Sequence, residues 1–330
     1  MLGFFHAWIA EFAKQCDTVT VICLQEGAHH LPSNVTVLSL GKEQHQSRLS
    51  YIRLFYRYVL TKRHEYDTVF VHMNDEYIVL GGFLWRLLGK RIQLWRNHGV
   101  GGLATYAAAF FSHVIFYTAP QSFTARFRKA RRMPAGIDTE TFRPAGTHQR
   151  RQSGAMNVVA ISRRSPSKRI DLMVDAIRQC RNNGMQITFH HYGDAPAEQG
   201  WYSGHLNDLA QDLIATGCVR FYDGVPHETV PEIYRDYDVC LNAATTGCFD
   251  KTVLEGMACG CPAIVSSADF SNGIDTKYIF SDASPEALSQ CLHTASQLSD
   301  PEYSKLAQRQ RNYVIQHHNL TNLVHEIVRA

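Results

Sequence analysis

The sequence predicts an α/β protein with two doubly wound domains, on three observations. Short runs rich in β-branched residues alternate with helical stretches along the chain, which is typical of βαβ units in parallel sheets. A polar segment at residues 144–156 interrupts this alternation before it begins again. The chain has 330 residues, enough for two domains that each bury a core. We therefore expect two Rossmann-like domains that face each other across a cleft.

The individual elements are predicted from residue type and periodicity. In the first half, the predicted strands are residues 18–24, 35–40, 68–72, 91–95 and 113–117, with helices at 48–65 and 76–88. In the second half, the predicted strands are residues 157–161, 186–192, 219–222, 239–242 and 262–265, with helices at 168–182 and 202–216. Residues 285–329 are predicted to be helical.

The interrupting segment, PAGTHQRRQSGAM, is rich in Gly, Ser, Gln and Arg and contains no apolar run. Such composition is typical of linkers between domains. We therefore predict an N-terminal domain at residues 1–145 and a C-terminal domain at 146–310. A helix at 311–330 is expected to pack back on the first domain.

The N-terminus departs from the usual doubly wound pattern. The chain begins in a predicted helix, with Phe4, Phe5, Trp8, Ile9 and Phe12 at helical spacing. A doubly wound domain normally opens with a strand and a glycine-rich turn before its first helix. We therefore expect the N-terminal domain to lack its first strand.

Composition excludes several classes of protein. The net charge of +3 is too small to indicate a nucleic-acid-binding protein, and no apolar run reaches the ~20 residues of a membrane-spanning helix. The first residues lack the basic region of a signal peptide. The nine cysteines show no zinc-ligand spacing, so free thiols are expected. These features favour a cytoplasmic location and no bound metal.

One stretch is suited to binding a diphosphate. The predicted strand at 239–242 leads into a small, polar turn and then a helix that starts near Asp250. The N-terminus of a helix attracts anions, and Lys251 and Thr252 lie in its first turn. Glu255, one turn further, can accept hydrogen bonds from ribose hydroxyls. In the alternative interpretation, Asp250 only caps the helix and Glu255 is only a solvated helix residue.

A second stretch, SRRSPSKRIDL at residues 162–172, also joins a predicted strand to a helix. Arg163 stands before the turn and Lys168 at the helix start, so both can face a diphosphate. A solvated surface is the alternative for two basic residues in one loop. Ligands of open α/β sheets collect at the carboxyl ends of strands, so two such loops in one domain favour a shared binding site.

These segments resemble the family 4 glycosyltransferases, which are retaining enzymes of the GT-B fold also called group 1. The matching segments are MPAGIDTETFRP, SRRSPSKRIDL, HYGD, FYDGVP and FDKTVLEGMACGCPAIVSS, in that order from Met133 onward. The first half of the chain matches more loosely, through RNHG at residues 96–99.

The resemblance implies a role for each matching residue. Arg163 and Lys168 would bind the donor diphosphate and stabilise the leaving nucleotide, and His98 would face the donor sugar. The remaining matching residues would contact the donor nucleotide and sugar: Gly224, Val225, Phe249, Asp250, Lys251, Thr252 and Glu255. A core histidine at a strand end is the alternative for His98.

The sequence departs from the family pattern at Gly247. The family usually has a glutamate there, eight residues before Glu255, that contacts the hydroxyls of the donor sugar. Asp250 is close enough in sequence to replace it. The missing first strand and glycine turn are the second departure, because the family places that turn near the donor phosphates and the acceptor.

The expected mechanism uses no metal ion, since no acidic metal-binding pair stands at a predicted strand end. Arg163, Lys168 and the helix dipole at Asp250 would neutralise the leaving diphosphate. The anomeric configuration would be retained, with the leaving phosphate helping to deprotonate the acceptor. No pair of carboxylates stands out as that of a glycoside hydrolase.

The predicted helix at 48–65 carries an apolar stripe flanked by Arg53 and Arg57. It is either a packed amphipathic helix or a surface that docks on anionic lipid at the inner face of the membrane. A second basic cluster, RFRKARR, lies at residues 126–132, and no nucleic-acid-binding motif accompanies either cluster.

The sequence therefore predicts a glycosyltransferase that builds a cell-surface polysaccharide or glycolipid. Its expected partners are a UDP-, GDP- or dTDP-linked sugar and a glycan or lipid-linked acceptor, with no further cofactor. The first alternative is a non-catalytic, nucleotide-sugar-binding or scaffolding subunit of a glycosyltransferase complex. Another is a different GT-B chemistry, epimerisation of a nucleotide sugar or phosphorolysis.

Overall fold

The computed structural model describes residues 3–146, 155–244, 249–280 and 284–330 of the chain. Its residues form two compact units. Unit 1 comprises Met1–Gly136 and Leu320–Ala330, and unit 2 comprises Ile137–Asn319. Unit 2 is therefore inserted into unit 1 along the chain.

The elements alternate as the sequence predicts. Those of unit 1 before the insertion are α1 (Phe4–Gln15), β1 (Val19–Cys23), β2 (Val35–Ser39), α2 (Arg48–Thr61), β3 (Thr68–His72), α3 (Asp75–Leu87), β4 (Arg91–Trp95), α4 (Leu103–Phe111), β5 (Val114–Tyr117) and β6 (Ala130–Arg132). Those of unit 2 are β7 (Ala155–Ile161), α5 (Ile170–Asn182), β8 (Gln186–Tyr192), α6 (Gly200–Leu209), α7 (Gln211–Ala215), β9 (Val219–Tyr222), α8 (Val230–Arg235), β10 (Val239–Asn242), α9 (Lys251–Ala258), β11 (Ala263–Val265), α10 (Pro285–Ser296) and α11 (Asp300–His317). The last helix, α12 (Leu320–Arg329), returns to unit 1.

Local sequence signals explain several helix boundaries. The Ser284 hydroxyl accepts a hydrogen bond from the Ala287 N–H at the start of α10, and Pro285 occupies the first turn, where its missing N–H costs nothing. Ser299 and Glu302 form a capping box at the start of α11. Gly260, with φ of +78°, follows the end of α9 in the left-handed conformation that favours glycine.

The strands of unit 1 form two parallel groups. Strands β3, β4, β5 and β6 make a four-stranded sheet in that order, and β1 pairs only with β2. Within the described ranges, no strand pairs with β1 on the edge opposite β2, or with β3 on the edge opposite β4. A cavity of about 660 Å³ is lined by both of these strands and by α1 and α2. The N-terminal domain thus has the parallel α/β architecture that the sequence predicts.

The core of unit 1 includes α12 at the far end of the chain. Leu323 and Ile327 of α12 are buried with Trp8 of α1 and Trp95 of β4, and the two indole rings meet edge to face at 5.2 Å. The Gln93 side-chain amide donates to the Ile327 carbonyl at 2.9 Å. Helix α12 is therefore an integral part of unit 1.

The two units divide at other positions than the sequence indicates. We predicted boundaries at 145/146 and 310/311, whereas the units divide after Gly136 and after Asn319. The Ile137 N–H donates to the His318 carbonyl at 2.7 Å, which ties the start of the connection to unit 2. Helix α11 continues to His317 within unit 2. Hydrogen bonding, rather than polar composition, sets both positions.

Helix α2 is a packed amphipathic helix. Phe55 and Val59 of its apolar stripe are buried in the core of unit 1, and the Tyr56 hydroxyl donates to the Leu80 carbonyl at 2.8 Å. Arg53 and Arg57 lie on its exposed side. The stripe is therefore occupied by protein, and the packed interpretation of this helix is confirmed.

Unit 2 contains a five-stranded parallel sheet in the order β11-β10-β7-β8-β9. The chain proceeds from β7 through β8 to β9 on one side and then returns to place β10 and β11 on the other side of β7. The strand order therefore reverses between β7 and β10. In open α/β sheets, such a reversal opens a crevice at the carboxyl ends of the two strands.

The centre of this sheet contains a fully buried histidine. His191 of β8 has no exposed surface, and its Nε2 lies 3.2 Å from the Ser162 hydroxyl. Burial, with a smaller contribution from Arg164, lowers the pKa of His191 from 6.5 to about 3. The folded state therefore keeps this ring neutral.

This pKa shift predicts a loss of stability in mild acid. Below pH 6.5 the unfolded chain binds a proton at His191 and the folded chain does not, so the free energy of unfolding falls as the pH decreases towards 3. Between pH 6.5 and 5 the loss from this one group should be about 2 kcal/mol. Urea unfolding at pH 7 and pH 5 measures it, with His191→Gln expected to show a smaller decrease. An equal decrease in both proteins would contradict this assignment.

The eight described cysteines are all free thiols, and Cys248 lies outside the described residues. None of the helices in the described part of the chain combines the length and apolar character needed to cross a bilayer.

Candidate functional site

The two predicted ligand loops meet at the strand reversal of unit 2. Lys168 follows β7, and Asp250 follows β10 and immediately precedes α9. The Lys168 ammonium lies 2.5 Å from the Asp250 carboxylate, and both side chains are mostly buried. The structure therefore brings together one cation and one anion from the two stretches that the sequence singles out.

Asp250 holds Lys168 instead of capping α9. It occupies the N-cap position of the helix, but its side chain makes no capping hydrogen bond. The same carboxylate oxygen that contacts Lys168 also accepts from the side-chain amide of Asn242, the last residue of β10, at 2.9 Å. The interpretation of Asp250 as a helix cap is therefore wrong, because its carboxylate is engaged by the charged Lys168 and by Asn242.

The first turn of α9 carries a second lysine. The ammonium nitrogen of Lys251 is buried, and burial lowers the pKa of Lys251 to about 7, against an opposing influence of Glu255. Lys251 is thus only partly protonated at neutral pH. The Thr252 carbonyl accepts from the Tyr234 hydroxyl at 2.8 Å, which fixes this turn against α8.

Glu255 is held by a histidine that the sequence analysis missed. Its side chain is 5% exposed, and its carboxylate lies 3.1 Å from Nε2 of His227. The His227 ring in turn packs against Phe142, with ring centroids 5.2 Å apart. Glu255 is therefore a positioned, buried carboxylate and not a solvated helix residue. His227 lies two residues after Val225, and that proximity was the available signal.

Gly224 lies on a neighbouring loop, and its backbone is anchored by Asp194. The Gly224 N–H donates to the Asp194 carboxylate at 2.9 Å, and a Cβ on Gly224 would lie 2.6 Å from the other carboxylate oxygen. The Asp194 carbonyl accepts from the Arg164 N–H at 2.9 Å. Asp194 thus joins the loops after β7, β8 and β9, while Val225 is half-buried beside Gly224.

Phe249 has a packing role in unit 2. Its ring stacks on Phe270 with centroids 4.5 Å apart and lies 4.9 Å from the His318 ring. The side chain therefore anchors the segment before α9, which leaves its backbone as the part able to contact a ligand. Gly247, where the family glutamate is missing, lies outside the described residues.

The two arginines after β7 differ in environment. Arg163 is exposed, whereas Arg164 is half-buried and donates to the Tyr222 carbonyl at 2.6 Å. Arg164 is therefore committed to holding the β7 and β9 loops together. Arg163 stays a predicted ligand of the diphosphate.

His98 lies in unit 1, in the loop after β4, and its side chain is exposed. This exposure rules out the interpretation of His98 as a core histidine. The His98 carbonyl accepts from the Phe123 N–H at 2.8 Å. Nearby, the buried Arg96 forms an ion pair with Asp75 at 3.1 Å and donates to the Val100 carbonyl at 3.0 Å. The loop that presents His98 is thus fixed at both ends.

The described site has a definite chemical capacity. Lys168, the N-terminus of α9 and the exposed Arg163 can attract an anion, and Glu255 can accept hydrogen bonds. Across the described ranges, no group of three or more His, Cys, Asp or Glu side chains is arranged to hold a metal ion. The site is suited to a ligand with an anionic group and hydroxyl groups.

Comparison with known proteins identifies related families for both halves of the chain. The family model described as "Glycosyl transferases group 1" matches residues 155–297. The model described as "Glycosyl transferase 4-like" matches residues 3–105. Together they cover well over half of the chain.

Similar curated proteins share only part of their length with this chain. The GtfA subunit of UDP-N-acetylglucosamine–peptide N-acetylglucosaminyltransferase from Streptococcus agalactiae is 25% identical over 125 residues, 38% of this chain and 22% of that protein. D-inositol 3-phosphate glycosyltransferase from Geodermatophilus obscurus is 28% identical over 147 residues, 41% of this chain and 32% of that protein. The matched part is thus a third or less of each relative.

Solved structures match nearly the whole chain at low sequence identity. Anabaena HepE in complex with UDP and glucose has a TM-score of 0.78 and 18% identity, over 98% of this chain and 94% of that one. Sucrose-phosphate synthase from Thermosynechococcus elongatus has a TM-score of 0.77 and 15% identity, over 99% of this chain and 91% of that one. These likenesses establish the fold, and with the two family models they show that the chain belongs to the group 1 glycosyltransferases of GT-B fold.

Proposed function

We propose that the chain transfers a sugar from a nucleotide-diphosphate sugar to a glycan or lipid-linked acceptor. In this proposal it acts in cell-surface polysaccharide or glycolipid synthesis and retains the anomeric configuration. The observation that carries the proposal is the polar cluster of Lys168, Asp250 and Asn242 at the strand reversal of unit 2. Ligands of open α/β sheets bind at that position.

Lys168 is the proposed ligand of the donor diphosphate. An ammonium group has three N–H donors, and one of them is engaged by Asp250. The other two can bind phosphate oxygens. As the anomeric bond breaks, negative charge grows on the leaving diphosphate, and a cation already held in place stabilises it without reorganisation. Arg163 and the N-terminus of α9 add to this effect.

Glu255 and Gly224 are the proposed contacts of the nucleoside. The Glu255 carboxylate keeps acceptor capacity beyond its contact with His227 and can bind ribose hydroxyls. Gly224 and Val225 form the neighbouring loop, which we assign to the nucleobase. The solved structure of HepE contains UDP and glucose, which favours a uridine nucleotide as the first donor to test.

The proposed mechanism needs no metal ion. The protein supplies the positive charge, through Arg163 and Lys168, that a divalent cation supplies in other transferases. The leaving phosphate helps to deprotonate the acceptor hydroxyl. The acceptor oxygen then bonds to the anomeric carbon on the same face from which the diphosphate departs. In this proposal, Asp250 takes over the sugar contact of the glutamate that the sequence lacks at Gly247.

Release of nucleotide diphosphate tests this function. The chain is incubated with UDP-, GDP- and dTDP-linked sugars, with and without EDTA, and with glycan or lipid-linked acceptors. We expect one class of donor to be consumed, at a rate that EDTA does not change. An NMR time course should show a product with the configuration of the donor, whereas an inverted product would overturn the proposed mechanism.

His227 is expected to support donor binding through Glu255. His227→Ala leaves a buried carboxylate without one of its partners, so KM for the donor should rise about threefold to tenfold with little change in kcat. Steady-state kinetics measure the effect. His227→Gln, which keeps a side-chain donor, should recover part of it, and Glu228→Ala on the exposed neighbouring residue should change nothing. A lower kcat at unchanged KM would contradict a role in donor binding.

One observation favours the alternative of a non-catalytic, nucleotide-sugar-binding subunit. The Asp250 carboxylate, 2.5 Å from Lys168, partly neutralises the cation that should stabilise the leaving group. A subunit of this kind would bind the nucleotide sugar, measured by calorimetry, and would release no nucleotide diphosphate with any acceptor. Asp250→Asn distinguishes the two cases, because it should alter turnover in a transferase and only affinity in a binding subunit.

A further inference from the structure

Helices α3 and α4 carry apolar side chains that point away from the core of unit 1. Val79, Phe83 and Leu87 follow one another at four-residue spacing along α3, and Leu103, Tyr106 and Phe110 follow at three- and four-residue spacing along α4. Their exposed fractions range from 43% to 89%. Residues at these spacings share one side of a helix, so each helix presents an apolar row. We call the six residues the α3–α4 face.

The two rows belong to one surface because the helices pack closely. A Cβ on Gly82 of α3 would lie 2.7 Å from the Phe111 side chain of α4. The Arg86 side chain donates to the Phe111 carbonyl at 2.8 Å. A contiguous apolar surface of this kind, on a protein in water, marks a place of contact with another apolar body.

Cations border the α3–α4 face. Arg86 and Lys129 meet at the end of α4, where the Lys129 ammonium donates to the Ser112 carbonyl at 2.7 Å. The Arg86 guanidinium reaches the same carbonyl at 3.5 Å, so the two positive charges lie close together. On the other side, the Arg126 guanidinium lies 3.8 Å above the Phe123 ring, and that ring packs on Tyr106 at 5.6 Å.

The charge of the surrounding sequence is one-sided. Residues 77–137 include nine Lys and Arg residues and no Asp or Glu. Because the whole chain has a net charge of +3, the remaining residues carry a net charge of −6. The positive charge of the protein is therefore concentrated in the segment that forms the α3–α4 face. The exposed Glu76 at the start of α3 is the acidic residue nearest to the apolar row of that helix. Aromatic and aliphatic side chains bordered mainly by cations match the chemistry of an anionic bilayer surface.

We propose that the α3–α4 face docks unit 1 on a membrane containing anionic lipid. Phe83, Phe110 and Leu103 enter the boundary between headgroups and acyl chains, and Arg86, Arg126 and Arg128 contact the lipid phosphates. This inference goes beyond the proposed function. In this proposal the α3–α4 face, and not α2, is the lipid-binding surface, because the apolar stripe of α2 is buried.

Co-sedimentation with vesicles tests the proposal in the full chain. Vesicles of phosphatidylcholine alone are compared with vesicles in which a third of the lipid is phosphatidylglycerol. We expect binding to the anionic vesicles only, weakened by added salt. Phe83→Ser with Phe110→Ser should reduce the affinity roughly tenfold or more, and Arg126→Glu with Arg128→Glu should reduce it by a similar factor.

Two matched controls distinguish binding through the α3–α4 face from nonspecific hydrophobic adsorption and from general electrostatic attraction. Trp201→Ser removes an aromatic side chain of unit 2 that is as exposed as Phe83, and Arg53→Glu with Arg57→Glu reverses two exposed charges on α2. Both proteins should bind as the parent does. Circular dichroism of every variant checks that it is folded.

Three results would overturn the proposal. The first is that the parent chain does not sediment with anionic vesicles. The second is that the Phe83/Phe110 and Arg126/Arg128 variants bind as well as the parent. The third is a dimer in light scattering that Phe83→Ser with Phe110→Ser converts to a monomer, since a second copy of the chain would then cover the face.

Discussion

Replacing Lys168 with alanine is expected to reduce kcat/KM for sugar transfer about 100- to 1,000-fold, the range found when one preorganised donor to a developing anion is removed. The substitution removes the cation at the strand reversal and, among the described residues, leaves Asp250 with the neutral amide of Asn242 beside it. An unpaired carboxylate then faces the incoming diphosphate and repels it. Measured kcat and the affinity for nucleoside diphosphate should therefore both decrease.

Arg169→Ala is the matched control for Lys168→Ala. Arg169 is the next residue along the chain and carries the same charge, but its guanidinium contacts Asp171 at 3.5 Å. It should leave kcat/KM within about threefold of the parent value, as expected for a half-exposed ion pair. In the double variant Lys168→Ala with Asp250→Asn, part of the lost affinity for nucleoside diphosphate should return, because the repelling carboxylate is removed. Equal activities of the Lys168 and Arg169 variants would remove Lys168 from the proposed mechanism.

The largest expected effect on stability comes from Gly193→Ala. Gly193 follows β8 with φ of +145°, a conformation that side-chain-bearing residues rarely adopt. A Cβ there would lie 1.9 Å from the Ser162 carbonyl oxygen, on the loop that carries Arg163. Strain and overlap together should cost about 3 to 5 kcal/mol, seen in urea unfolding of the variant as a lower midpoint for unit 2.

Gly204→Ala provides the control with the opposite sign. Gly204 lies within α6, and a Cβ at this position would meet no atom within 4 Å. Alanine favours the helix over glycine by roughly 0.5–1 kcal/mol, so this variant should be slightly more stable than the parent. If Gly193→Ala and Gly204→Ala were equally stable, the loop after β7 would have moved to accommodate the added Cβ.

The fold could be predicted from the sequence because its signals are local. Short β-branched runs and helical patterns place most of the strands and helices of both units, and the polar segment at 144–156 indicates two domains. The division after Gly136 could not be predicted, because Ile137 is joined by a hydrogen bond to His318, which is far away in the chain. Lipid contact was assigned to α2 as one alternative, because an apolar stripe in a sequence does not show whether protein covers it.

The candidate site shows the same limit. The order of motifs along the chain points to Lys168, Asp250 and Glu255, and the structure brings Lys168 and Asp250 into contact. The partners that orient them, Asn242 and His227, were not predicted, since each depends on how loops from different strands meet. Phe249 matches the family motif, but its side chain packs on Phe270. A motif therefore predicts position along the chain better than the direction of a side chain.

The insertion of unit 2 into unit 1 has a consequence for synthesis on the ribosome. The residues of Ile137–Asn319 emerge before α12, whose side chains complete the core around Trp8. At elongation rates of about 5–20 residues per second, this interval is on the order of ten to forty seconds. During that time unit 2 can already fold, while the indole of Trp8 still lacks its contacts with α12, which has not yet been translated. The core of unit 1 is thus completed last, although most of the residues of unit 1 precede unit 2 in the chain.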